Sequence, residues 1–158
     1  LGEISLECSR PGASAVALWA TQKLLPLARG GEFAMGLEAC REAALSFAER
    51  LATDSRWLVP FPPELDIVVW APRAASARLA SERSQRIFTA AANRGLHLAL
   101  IRLPVRYFPS LAAHSSDHQD TILCLRSVLM KPEHREWLNR ILSKLDAAFR
   151  DAVEECEP

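Results

Sequence analysis

The stretch Thr121-Ile122-Leu123-Cys124-Leu125-Arg126-Ser127-Val128-Leu129-Met130-Lys131-Pro132 decides the fold of this 158-residue chain. From Thr121 to Met130 it is rich in Leu, Ile and Val and free of glycine and proline, the composition of a long strand. Pro132 then opens a helix at its first-turn position, where the missing N–H costs nothing. Beyond it Trp137, Ile141, Leu145 and Phe149 recur every four residues, which predicts the buried stripe of that helix. On the strand, alternation puts Arg126 on the face of Ile122, Cys124 and Val128. A guanidinium there is costly unless it has a partner or reaches water. Its planar fork of donors suits a carboxylate or phosphate clamp. The bland alternatives are a structural ion pair, or an edge-strand Arg whose head snorkels to solvent.

Upstream, Leu96 to Leu103 reads as another strand, with Leu96, Leu98 and Leu100 on one face. Gly95 is placed to end the preceding helix in a left-handed conformation. That helix, about Ala74 to Asn93, carries Leu79, Ile87 and Ala91 inward. Leu65 to Trp70 is a Pro-bounded run of Ile, Val and Trp suited to a buried strand, and Trp57 to Phe61 is a short extended piece stopped by Pro62-Pro63. Pro109 to Asp120, polar and containing Ser115-Ser116-Asp117-His118, reads as a loop.

Phe33, Leu37, Cys40, Ala44, Phe47 and Leu51 form one apolar face, opposite Glu38, Arg41, Glu42, Glu49 and Arg50, so Phe33 to Ala52 is helical. From Ala13, the spacing of Val16, Ala17, Ala20, Leu24 and Leu27 predicts an earlier helix, broken by Pro26 and Gly30-Gly31. Glu3 to Cys8 alternates as a half-buried strand, stopped by Pro11-Gly12. The sum is a domain of several strands with helices packed on them, preceded by a strand and helix pair.

Composition narrows the function. Apolar residues make up 49% of the chain, enough for a real core, and 19 basic residues balance 19 acidic ones. That balance argues against a nucleic-acid or membrane-surface partner. The longest apolar stretches fall well short of the roughly 18 residues that span a bilayer. Cys8, Cys40, Cys124 and Cys156 lie far apart with no C-x-x-C pair, which points to reduced thiols in a cytoplasmic protein rather than a zinc site or disulfide framework. The opening Leu1-Gly2-Glu3-Ile4 resembles neither a native start nor a signal peptide, so the expectation is a piece of something longer.

Self-contained catalytic signatures are missing: there is no G-x-S-x-G, H-E-x-x-H, Walker loop or G-x-G-x-x-G. Lys23, Lys131 and Lys144 all read as ordinary surface residues rather than imine-forming lysines. His114 and His118 lie in the loop-like stretch without a third ligand, so no metal site is expected. In Cys8-Ser9-Arg10-Pro11-Gly12 a strand passes into a helix, where Ser9 or Gly12 offers donors to an anion or simply caps the helix.

Three segments in this order resemble a known family. Cys8-Ser9-Arg10-Pro11 followed by Ala17-Leu18-Trp19 looks like the stretch after the cofactor lysine in the group II pyridoxal-phosphate decarboxylases. Pro63-Glu64-Leu65-Asp66-Ile67-Val68 is similar to the strand that opens that family's small domain. Leu125-Arg126-Ser127-Val128-Leu129-Met130-Lys131-Pro132 is similar to its late strand and closing helix. The family holds glutamate, tyrosine and aromatic amino-acid decarboxylases with the type I aminotransferase fold.

The resemblance implies an α+β C-terminal small domain: a small antiparallel sheet with helices packed on it at residues 54–158. Residues 1–53 would supply a strand and long helices connecting to a large cofactor domain. It implies a homodimer that removes the α-carboxylate of an amino acid as carbon dioxide, using pyridoxal phosphate. Arg126 matches the Arg that grips a substrate carboxylate in glutamate decarboxylases, and Ser9 and Arg10 match a cofactor-site or dimer-contact segment. The His-Lys dipeptide that supplies the family's cofactor lysine is absent, so this stretch alone should be inactive and serve substrate recognition, domain closure and dimer packing. Two other readings stay open: a carbon-carbon lyase of the same fold, and a non-catalytic α+β interaction domain.

Overall fold

The computed structural model describes residues 12–112 and 119–154. The expected strand Glu3 to Cys8, the Ser9-Arg10 turn, and His114 and His118 lie outside the described residues. The chain divides into two compact units, residues 1–38 and residues 39–158.

In the first unit, helix α1 (Ala13–Leu24) forms where the spacing predicts it, but none of its residues is buried. Val16, Leu18, Trp19 and Leu24 are all exposed, and Leu27, part of the expected helical spacing, lies past the helix end and is exposed as well. Helix α2 (Glu32–Thr53) begins in this unit, with Phe33, Met35 and Leu37 also exposed.

The second unit is an α+β domain. Its strands are β1 (Trp57–Leu58), β2 (Ile67–Pro72), β3 (Ala99–Pro104) and β4 (Thr121–Val128). They form one antiparallel sheet in the order β1-β2-β4-β3. The rest of α2 packs here together with α3 (Ala77–Asn93), a short α4 (Pro109–Ala112) and α5 (His134–Glu154).

Both faces of the sheet are buried, which explains why β2 reads as a continuous apolar run rather than a clean alternation. Val68 and Trp70 join Leu125 and Leu129 in one cluster with Phe47 and Leu51 of α2, Ile87 of α3 and Leu145 of α5. Val69 and Ala71, one residue out of phase, join Ile122 and Cys124 in a second cluster with Val105, Phe108 and Leu111. The Phe47 ring meets Trp70 edge-on, with centroids 5.2 Å apart.

The β2–β4 ladder covers only Leu125 to Val128 of β4, because β2 then turns to pair with β1. Leu123 donates its N–H instead to the Ser81 hydroxyl of α3 at 3.0 Å, while that hydroxyl donates to the Ala77 carbonyl at 2.7 Å. One side chain thus satisfies a backbone group that the neighbouring strand has left.

Several expectations shift. Strand β2 runs Ile67–Pro72 rather than Leu65 to Trp70, since proline is tolerated at a terminal pair. The segment expected to be all loop from Pro109 contains a helical turn at Pro109–Ala112, started by Pro109 just as Pro favours. Helix α5 starts at His134, after a turn in which His134 and Arg135 donate to the carbonyls of Lys131 and Pro132. Trp137 is 44% exposed, and its neighbour Leu138 enters the core in its place, with Leu145, Ala148 and Ala152 completing the stripe. At 3.6 residues per turn, steps of seven from Leu138 hold one face better than repeated steps of four.

In α3, Ser76 accepts the Leu79 N–H at 3.2 Å and caps the N-terminus, so the helix starts later than Ala74. Ile87 and Ala91 are buried as expected. Gly95 closes it with φ 65°.

Candidate functional site

Arg126 lies on β4, an interior strand, between Val69 on β2 and Ala99 on β3. It is half-buried, and its Nε is fully buried with no hydrogen-bond partner. Strand β4 is interior rather than an edge strand, and none of the ion pairs among the described residues involves Arg126. Ile122 and Cys124, earlier on the same face, are fully buried, so the expected alternation holds up to the arginine.

A cleft of about 430 Å³ opens beside Arg126, between the start of β3, the end of β4 and α5. His97, His134, Trp137, Arg140 and Lys144 line it with Arg126. Its lining includes no Asp or Glu. Lys144, expected as an ordinary surface residue, donates to the carbonyls of Arg94 at 2.7 Å and Gly95 at 3.2 Å, tying α5 to the C-terminus of α3. The placement follows helix electrostatics, because the last carbonyls of a helix attract a cation.

His97, Arg140 and Lys144 are spread over 48 positions of the sequence, and no local pattern marked them as neighbours of Arg126. The one available signal was the i, i+4 repeat of basic residues Arg140 and Lys144 on α5.

A second group of charged residues pairs away from the cleft. Arg56 binds Asp54 through several hydrogen bonds and reaches Asp146 at 2.7 Å, its guanidinium lying over the Phe149 ring at 5.1 Å. The hydrogen bond from Arg56 holds the Asp54 carboxyl below the usual carboxylate range. Burial pushes the Cys124 thiol up to about 12, and burial also raises Cys40. Neither thiol is a poised nucleophile. Among the described residues no His, Cys, Asp and Glu cluster is able to hold a metal ion, and no helix is long and apolar enough to cross a membrane.

The lysines test the fit to a covalently held cofactor. Lys144 donates to two carbonyls, Lys131 is exposed, and Lys23 is exposed over the Trp19 ring at 5.8 Å. None lies in an enclosed pocket where an imine would be protected from water. The described residues therefore do not fit the covalent attachment of pyridoxal phosphate.

No family model and no curated protein matches the sequence. In fold, the chain is similar to the crystal structure of the glutamate decarboxylase domain of a diaminobutyrate-pyruvate transaminase and L-2,4-diaminobutyrate decarboxylase from Vibrio parahaemolyticus. The likeness has a TM-score of 0.54 at 17% identity and covers 87% of this chain. This chain spans 26% of that one, so the likeness concerns a portion of a decarboxylase domain and is one of fold.

Proposed function

We propose that this chain is the C-terminal portion of a pyridoxal-phosphate-dependent decarboxylase that releases the α-carboxylate of an amino acid as carbon dioxide. The observation that carries the reading is Arg126: a half-buried arginine whose Nε is buried without a partner, on an interior strand of a fold that a decarboxylase domain shares. Burying such a group without a protein partner is costly, and a substrate carboxylate supplies the partner. The order of the Ser9-Arg10, Pro63 to Val68 and Leu125 to Pro132 segments supports the same family.

In this reading the cofactor and its lysine belong to a large domain outside this sequence, and residues 1–53 connect to it. Residues 54–158 recognise the substrate, close over the site and exclude water. Arg126 orients the amino acid by a charge-assisted, bidentate contact. Ser9 and Arg10 serve the cofactor site or the contact with a second subunit. The assembly is a cytoplasmic homodimer.

The test is the intact mass of the natural gene product, purified from its source, with and without borohydride reduction, which locks an imine onto its lysine. A longer chain that gains a pyridoxyl-phosphate adduct and releases carbon dioxide from an amino acid supports the proposal. A product of this length without an adduct overturns it in favour of a non-catalytic α+β domain. An adduct without carbon dioxide release leaves the carbon-carbon lyase.

A further inference from the structure

Alternation along β4 puts the Arg126 side chain on the face of Ile122, Cys124 and Val128, opposite the face where Leu125 and Leu129 pack with Leu138 and Leu145 of α5. One half of the Arg126 face is covered. Ile122, Cys124 and Val69 are buried there together with Phe108 and Leu111. The other half is open: Ile67 is 44% exposed, Val128 and Ala99 are half-buried, and none of the three belongs to either core cluster. Arg126 stands at the boundary between the halves. Only its Nε is buried without a partner, so the Nη donors stay accessible.

The open half accepts a narrow range of groups. Arg126 is paired with Val69 on one side and Ala99 on the other. Val69 is branched and buried, so the β2 side is filled, whereas Ala99 carries a single methyl and leaves the free space over β3. Opposed residues hold their Cβ atoms about 4.5–5.5 Å apart, so a group held by Arg126 rests against that methyl. Because β4 is paired on both sides here, its backbone N–H and C=O groups are taken up by the two ladders. Ile67, Val128 and Ala99 add no side-chain donor, which leaves the guanidinium as the one polar group that this patch presents among the described residues.

We infer that Ala99 is a specificity-determining residue of the Arg126 site, and that the substrate is an amino acid with one carboxylate and an apolar side chain that lies over Ala99 beside Ile67 and Val128. The inference rests on Arg126 as the carboxylate contact. A second carboxylate, as in glutamate, would lie on this apolar patch without a donor, and burying an unpaired charge is costly. An ammonium, as in lysine, would meet the like charge of Arg126. A larger side chain at position 99 would fill the space that the substrate needs.

The experiment measures carbon dioxide release by the full-length, cofactor-loaded protein from L-phenylalanine, L-leucine, L-alanine, L-glutamate and L-lysine. The expected result is a kcat/KM for L-phenylalanine or L-leucine about tenfold or more above those for L-glutamate and L-lysine. Ala99→Leu should lower the ratio of kcat/KM for L-phenylalanine to that for L-alanine about tenfold or more, chiefly through KM, since one methylene in an apolar pocket is worth about 10- to 200-fold. Ala99→Val, a smaller step that suits a strand, should lower the ratio less. A preference for L-glutamate or L-lysine overturns the inference and leaves decarboxylation standing. An unchanged ratio in Ala99→Leu and Ala99→Val proteins that melt with the parent overturns the role of Ala99. Release from none of the five overturns the inference too, and the borohydride mass test then decides whether the decarboxylase reading falls with it.

Discussion

Arg126 stands directly opposite Ala99 on the β3–β4 ladder. The residue facing the guanidinium from the edge strand is the smallest one with a Cβ, and no side chain there competes for its donors. Replacing Ala99 by Asp puts a carboxylate across from Arg126, where opposite-charge pairs contribute roughly 0.2–1 kcal/mol. The expected outcome is a protein with nearly unchanged Tm whose kcat/KM in the full-length enzyme falls about tenfold or more, as for Arg126→Ala. An unchanged kcat/KM in both variants would remove Arg126 from substrate binding.

Phe47 is fully buried and meets Trp70 at 88° between ring planes. Phe47→Ala should cost about 3–5 kcal/mol through the lost transfer and the cavity left behind. Phe47→Leu should cost less, about 1–1.5 kcal/mol. Denaturant unfolding of the two variants checks the ratio, and an equal loss in both would mean that aliphatic volume recovers nothing and the ring contact carries the contribution.

Asp54 is held below its ordinary range by Arg56. Because its folded value is depressed, its contribution is fully present above the unfolded value near ~3.9 and is lost as pH falls through the folded one. Asp54→Asn should therefore flatten the acid limb of stability below about pH 4. The effect at neutral pH should be under about 1 kcal/mol, since both side chains keep contact with water. Melting curves from pH 2 to 7 give the comparison.

Gly95 takes φ 65°, and a Cβ there would lie 3.3 Å from the Lys144 ammonium. Gly95→Ala should destabilise by roughly 1–2 kcal/mol from the left-handed backbone alone. Lys144→Met, which keeps the stem and drops the charge that caps α3, should cost roughly 0.3–1 kcal/mol. Thermal melts of each variant and of the pair would show coupling if the two act on one helix end.

The Cys124 thiol, pushed up to about 12 by burial, should resist alkylation at pH 8 in the native protein and react only after unfolding. Labelling of Cys124 at the rate of a free thiol under native conditions would contradict its packing against Ile122 and the second cluster.

The helices α2 and α3 and the strand β4 were legible in the sequence because their signals are local. Apolar spacing of three and four residues, glycine at Gly95 and the apolar run around Arg126 each act within one element. The same local reading misjudged Trp137, because a four-residue stripe drifts off the face that a 3.6-residue helix presents, and only packing against the sheet decides which neighbour goes inside. It placed α1 correctly, although periodicity cannot say whether a surface exists to cover its apolar residues, and none of them is buried.

By itself the sequence determined where α2, α3, α5 and β4 lie, that charge is balanced overall, and that Arg126 lies on an otherwise apolar face. Only the tertiary structure decided the order β1-β2-β4-β3, which makes β4 interior and removes the edge-strand account of Arg126. It alone brought His97, Arg126, Arg140 and Lys144 around one cleft. The physical reason is that hydrogen-bonded periodicity is set by neighbours a few residues away, whereas strand order and clefts depend on which distant apolar faces bury one another.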